Sequence, residues 1–82
     1  MQINDFRDDI LADALKDVDE TIGWEKLMKY KQSGIDKDTM LSVLDSLRLE
    51  MRQKGDEKTE DAIMEYMDLV DGWCSPKWRI YP

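Results

Sequence analysis

The sequence contains no histidine. That absence removes the commonest general base, the usual partner of a nucleophilic serine or cysteine, and the commonest transition-metal ligand. Its single cysteine, Cys74, excludes an internal disulfide and is the usage expected in a reducing cytoplasm. The four glycines stand apart from one another, so there is no glycine-rich phosphate loop. No run of about 18 apolar residues occurs, and a membrane span is not expected. The opening residues Met1-Gln2-Ile3-Asn4-Asp5 form neither a basic nor an apolar stretch, so they do not read as a signal peptide. Positive charge is scarce too. Twelve Lys and Arg face nineteen Asp and Glu, a formal charge of −7. A phosphate-binding protein would carry a basic patch instead, which argues against direct nucleic-acid binding.

What is present is 82 residues with 41% apolar and 38% charged side chains. The apolar share is too high for a disordered chain, and the length suits one small domain. Helical spacing dominates. Phe6, Ile10, Leu11, Ala14, Leu15 and Val18 recur with a 3.6-residue period, and Ile22 extends the same register. This predicts a helix over about 5–22, broken by Gly23. A second helix, 24–33, carries Trp24, Leu27 and Met28. A third, 37–54, follows the cap Asp36 and has Met40, Leu41, Leu44, Leu47 and Met51 on one face. A fourth, 57–71, sets Thr59, Ile63, Tyr66, Met67 and Val70 on one side. Gly34, Gly55 and Gly72 stand where helix C-termini are expected. Pro76 and Pro82 disfavour a regular helix beyond them, so 73–82 reads as an extended tail. The expected fold is therefore all-α, a bundle of about four short helices with the tail packed on it.

Catalytic and metal-binding chemistry finds no footing in these residues. Cys74 has only Lys77 near it in sequence, and Ser75-Pro76-Lys77 is too short to be a Ser-Lys pair. The cysteine reads as a small, buried or half-buried hydrophobe. Asp17-Val18-Asp19-Glu20-Thr21 resembles the start of a calcium-binding loop but fails twice: its glycine is displaced to Gly23, and the closing position is Met28 rather than Glu. No Glu-x-x-His element supports a di-metal bundle. Catalytic residues, metal and cofactor are all expected to be none.

The acids, by contrast, are unevenly placed. Segment 1–20 holds seven against Arg7 and Lys16, and segment 56–72 holds seven against Lys58 alone. The middle, 21–55, has five acids and seven bases. Asp5, Asp9, Asp13 and Asp17 recur every four residues, as do Glu57, Asp61 and Glu65, with Asp68 alongside. Like charges at this spacing destabilise a helix by a few tenths of a kcal/mol per pair. A solvated face tuned for solubility is the plain explanation. The functional one is a landing surface that steers a basic partner. On that reading the partner-binding residues are Asp9, Asp13, Asp17, Asp61, Glu65 and Asp68. Trp78 and Tyr81 add aromatic anchors of the type enriched at binding hot spots. The tail residues Trp73, Trp78, Ile80 and Tyr81 must either pack or bind, and packing with Tyr81 partly exposed is the expectation.

With the stretch Met67-Asp68-Leu69-Val70-Asp71-Gly72-Trp73-Cys74-Ser75-Pro76 and its preceding acidic helix, the chain resembles small bacterial immunity proteins, which neutralise a nuclease or other toxin made by the same cell. The similarity is one of class: short, strongly acidic, four helices, with Tyr and Trp near carboxylates. It implies a non-enzymatic cytoplasmic inhibitor that binds a basic protein, touching neither nucleic acid nor membrane directly. Two alternatives stay open. One is a DNA mimic or phage-type anti-defence protein, since carboxylates four residues apart rise about 6 Å along a helix. The other is a helical adaptor or regulatory subunit of a larger assembly.

Overall fold

A computed structural model describes residues 2–16 and 19–81. Four α-helices follow one another: α1 (Gln2–Lys16), α2 (Glu20–Gln32), α3 (Lys37–Lys54) and α4 (Glu57–Asp71). A single 3₁₀ turn, Pro76–Trp78, lies beyond them, and no strand occurs among the described residues. The expected all-α bundle is the fold.

Local signals set most of the boundaries. Asp36 caps α3 by accepting from the Thr39 backbone N–H at 2.8 Å, and Asp56 caps α4 from the Thr59 N–H at 3.1 Å. Gly55 ends α3 at φ 76°, a left-handed conformation that costs a Cβ-bearing residue energy. There the Asp56 N–H reaches back to the Met51 carbonyl at 2.9 Å, closing the last turn. Helices α3 and α4 thus run over the ranges the spacing predicts.

The first half differs from expectation. α1 is described over Gln2–Lys16, Asp19 is outside any helix, and it caps α2 by accepting from the Thr21 N–H at 2.8 Å, so no single helix runs to Ile22. Gly23 is no breaker; it sits buried inside α2, because a Cβ there would overlap the Tyr66 ring of α4. The glycine lets two helices approach closely. Leu15, expected on the core face, is 57% exposed, and Ile22 is exposed as well. Val18 and Asp17 lie outside the described residues.

The core gathers Phe6, Ile10 and Ala14 of α1 with Leu27 and Tyr30 of α2. It continues through Met40, Leu44, Leu47 and Met51 of α3 and Ile63, Tyr66, Leu69 and Val70 of α4. Leu11, Leu41 and Met67 pack against it half-buried rather than inside it. Tyr30 and Leu69 are core members the spacing did not single out. Tyr30 tilts against Phe6 with centroids 5.2 Å apart.

The segment after α4 does not stay extended. Pro76 occupies the first position of the 3₁₀ turn, where its missing N–H costs nothing. The chain then folds back across the bundle. The Ile80 N–H donates to the Leu69 carbonyl at 3.1 Å, and its side chain is completely buried. Lys31 Nζ donates to the Ile80 carbonyl at 2.7 Å, and the Tyr81 hydroxyl donates to the Ile35 carbonyl at 2.5 Å. Packing, with Tyr81 half-buried, is the arrangement.

Candidate partner-binding surface

α4 buries Thr59, Ile63, Tyr66 and Val70 along one side. At 100° per residue, Glu57, Asp61, Met64 and Asp68 lie on the opposite side, with Glu65 and Asp71 at its borders. All six are exposed. Asp71 accepts from the Trp73 indole N–H at 2.9 Å and lies 4.0 Å from Lys37 Nζ. Asp61, Glu65 and Asp68 enter no ion pair among the described residues. Asp61 borders an open groove shared with Arg48, Arg52, Glu57, Glu60 and Met64. Arg48 there is engaged by Asp45 at 2.9 Å and by Glu60 at 3.7 Å. The helix therefore shows solvent a carboxylate row with one thioether in its middle.

The row on α1 has a different fate. The Tyr30 hydroxyl donates to Asp9 Oδ2. That bond, reinforced by the charges of Lys26 and Lys29, holds the Asp9 carboxyl below the usual carboxylate range. The same bond and burial push Tyr30 up to about 12. Asp13 is only 8% exposed; its Oδ2 lies 3.5 Å from Lys26 Nζ and receives no hydrogen bond among the described residues. Asp9 and Asp13 thus stitch α1 to α2, while Arg7 Nη2 ties α1 to both oxygens of Glu50 on α3 at 2.8 and 2.6 Å. Asp17 lies outside the described residues. Of the six acids singled out, then, three face solvent on α4, and two are turned toward α2. The sequence held a signal for this. Asp13 stands seven residues after Phe6 and three after Ile10, inside the buried arc of α1.

Trp78 is 38% exposed and stands edge-on to Trp24, their planes at 88° and centroids 5.7 Å apart. The Trp24 indole N–H donates to the Trp78 carbonyl at 2.9 Å, so the aromatic pair also anchors the turn. Beside the pair opens a pocket of about 240 Å³ lined by Thr21, Trp24, Leu69, Cys74, Ser75 and Trp78. Cys74 is half-buried there, as a small hydrophobe would be. Tyr81 turns the other way, its hydroxyl committed to Ile35 and its ring beneath Lys31 Nζ at 5.3 Å. Trp73, which the sequence left between packing and binding, is 77% exposed. Its signal was its position just past the Gly72 stop, outside any helical face.

Among the described residues no group of three or more Cys, Asp or Glu side chains is placed to hold a metal ion, and no helix is long and apolar enough to cross a membrane. No family model, curated protein or solved structure matches the chain.

Proposed function

We propose that this chain is a non-enzymatic cytoplasmic protein that binds and blocks a basic protein partner, in the manner of an immunity protein covering the cationic active site of a nuclease-like toxin. The observation that carries the reading is the solvent face of α4. Asp61, Glu65 and Asp68 are exposed there and enter no ion pair among the described residues, with the exposed Met64 beside them and the exposed Trp73 just past the end of the helix. Such a row strengthens the attraction of a cationic surface and sets its register, while an apolar residue among the charges supplies area that excludes water on contact. A backbone mimic, the alternative role for the acids, calls for an uninterrupted row along α1; burial of Asp13 interrupts it.

Affinity capture from the source lysate, with the parent chain and the D61N/E65Q/D68N variant in parallel, tests the proposal. A basic protein should be retained by the parent and lost or depleted with the variant. For that protein the association rate should fall steeply with added salt while dissociation changes little. Association rates equal at low and high salt, or equal for parent and variant, would overturn it.

A further inference from the structure

The pocket between α2, α4 and the 3₁₀ turn has a chemistry of its own. Two indole planes meet at a right angle, and Leu69 supplies an apolar wall. The one indole N–H of Trp24 is already engaged by the Trp78 carbonyl, so this ring offers π-surface rather than a donor. The hydroxyl-bearing residues Thr21 and Ser75 complete the lining with Cys74, and the Ser75 side chain makes no capping bond. Glu25 follows Thr21 by one turn of α2, and Glu65 precedes Leu69 by one turn of α4. Residues four apart on a helix are surface neighbours, so each of these exposed carboxylates lies one helical turn from a lining residue.

A ligand for such a site must like indole faces, donate hydrogen bonds and carry positive charge. An anion would find no backbone nest or charged donor in the lining, and two carboxylates one turn away. A purely apolar side chain would leave the hydroxyls and carboxylates without a role. An ammonium holds its water tightly. A guanidinium is planar and weakly hydrated, stacks on indoles, and presents five N–H donors. The molecule itself shows that a cation settles on one of these rings, since Lys77 Nζ lies 5.5 Å from the Trp78 centroid. We infer that the Trp24–Trp78 pocket receives an arginine side chain of the basic partner, its guanidinium held against the indoles and paired with Glu25 and Glu65. The biological occupant rests on the basic-partner reading above, but the chemistry of the pocket is testable without any partner.

The probe is the peptide acetyl-Gly-Arg-Gly-amide, titrated into the full ¹⁵N-labelled chain while the three tryptophan indole N–H signals are followed. Matched peptides carry lysine, norleucine or citrulline, the last keeping nearly the shape of arginine without its charge. The arginine peptide should shift Trp24 and Trp78 saturably at millimolar concentration and leave Trp73 unmoved. Lysine should bind more weakly, and citrulline and norleucine should not saturate. Thr21→Phe fills the pocket from an exposed position of α2 while keeping both indoles, and should abolish the saturable shift. Glu25→Gln and Glu65→Gln should each weaken binding about two- to fivefold, the range for exposed charge pairs. Absence of saturable arginine binding, equal response to norleucine, or binding that survives Thr21→Phe would overturn the inference. Failure of the basic-partner reading looks different: salt-independent association with the captured protein, and an unchanged peptide titration.

Discussion

Replacing Ile80 by alanine isolates the contribution of the segment that folds back after α4. Its side chain is fully buried, yet its main chain is tied down independently, through the bonds to Leu69 and Lys31. Alanine keeps both ties and removes three carbons. Loss of transfer free energy accounts for about 2.4 kcal/mol at ~0.8 kcal/mol per carbon. The cavity adds to that, and buried Ile→Ala changes cost about 2–5 kcal/mol in all. For a domain of this size each kcal/mol moves the melting temperature by about 4–8 °C. Ile80→Ala should therefore lower Tm by at least about 10 °C. Trp73→Ala is the control. It deletes a far larger side chain, but one that is 77% exposed and bonded only to Asp71 on the surface. Surface changes of that kind stay within about ±0.5 kcal/mol, or a few degrees. Deleting residues 77–82 should cost at least as much as Ile80→Ala, because Trp78 and Tyr81 leave too. Thermal unfolding followed by far-ultraviolet circular dichroism reads all three. If Ile80→Ala melts within about 4 °C of the parent, or Trp73→Ala falls further, the segment after α4 does not hold the bundle in the way described.

Three further outcomes can be measured with urea denaturation. Gly23→Ala in mid-helix would ordinarily gain about 0.5–1 kcal/mol; here the Tyr66 ring must move, and a loss of about 1–3 kcal/mol is expected, so a raised midpoint refutes the close approach. Tyr30, raised to about 12 against ~10 when unfolded, contributes stability that is complete below pH ~10 and lost as pH climbs toward 12. Asp9, lowered by the same bond, contributes stability that is present above pH ~4 and lost as pH falls through its folded value. Tyr30→Phe should flatten the part of both slopes that comes from this bond, and an unchanged pH profile would show that it contributes nothing. Lys26→Met leaves Asp13 nearly buried without its counter-charge and should cost about 1–3 kcal/mol, with Asp13→Leu added on top restoring most of it; strictly additive losses would deny the coupling.

The second half of the fold is readable in the sequence because its punctuation is local. Asp36, Gly55, Asp56 and Gly72 act within a turn of where they stand, and the buried stripe of α3 has the period of a helix. Gly23 misleads because its function lies across the molecule. A glycine next to Trp24 reads as a stop, while its register with Leu27 and Tyr30 acquires meaning only when Tyr66 is placed against it. Leu15 misleads in the opposite direction. It extends the apolar spacing of α1 but lies about 180° around the helix from Phe6, beyond the arc that the neighbours cover. The acids divide by the same geometry. Asp61, Glu65 and Asp68 of α4 lie away from its core stripe and stay in solvent. Asp9 and Asp13 lie beside or within the stripe of α1, so α2 meets them with Tyr30 and Lys26. Periodicity alone marks which residues share a face; it does not mark which faces acquire a polar neighbour.

The two halves also differ in how they are fastened. α3 and α4 are consecutive, joined by Gly55 and Asp56, and each carries its own cap, so their pairing closes a very short loop at little entropic cost. α1 is docked partly through polar ties from Arg7, Asp9 and Asp13 to residues 26–50, whose loss is eased by water and salt. Native-state amide exchange should accordingly be graded, slowest in the α3–α4 hairpin and faster along α1. The first opening would then bare the sites of Phe6 and Ile10 while the hairpin and its acidic face persist. Limited proteolysis should accordingly cut first in the undocked first helix, while the α3–α4 hairpin resists longer.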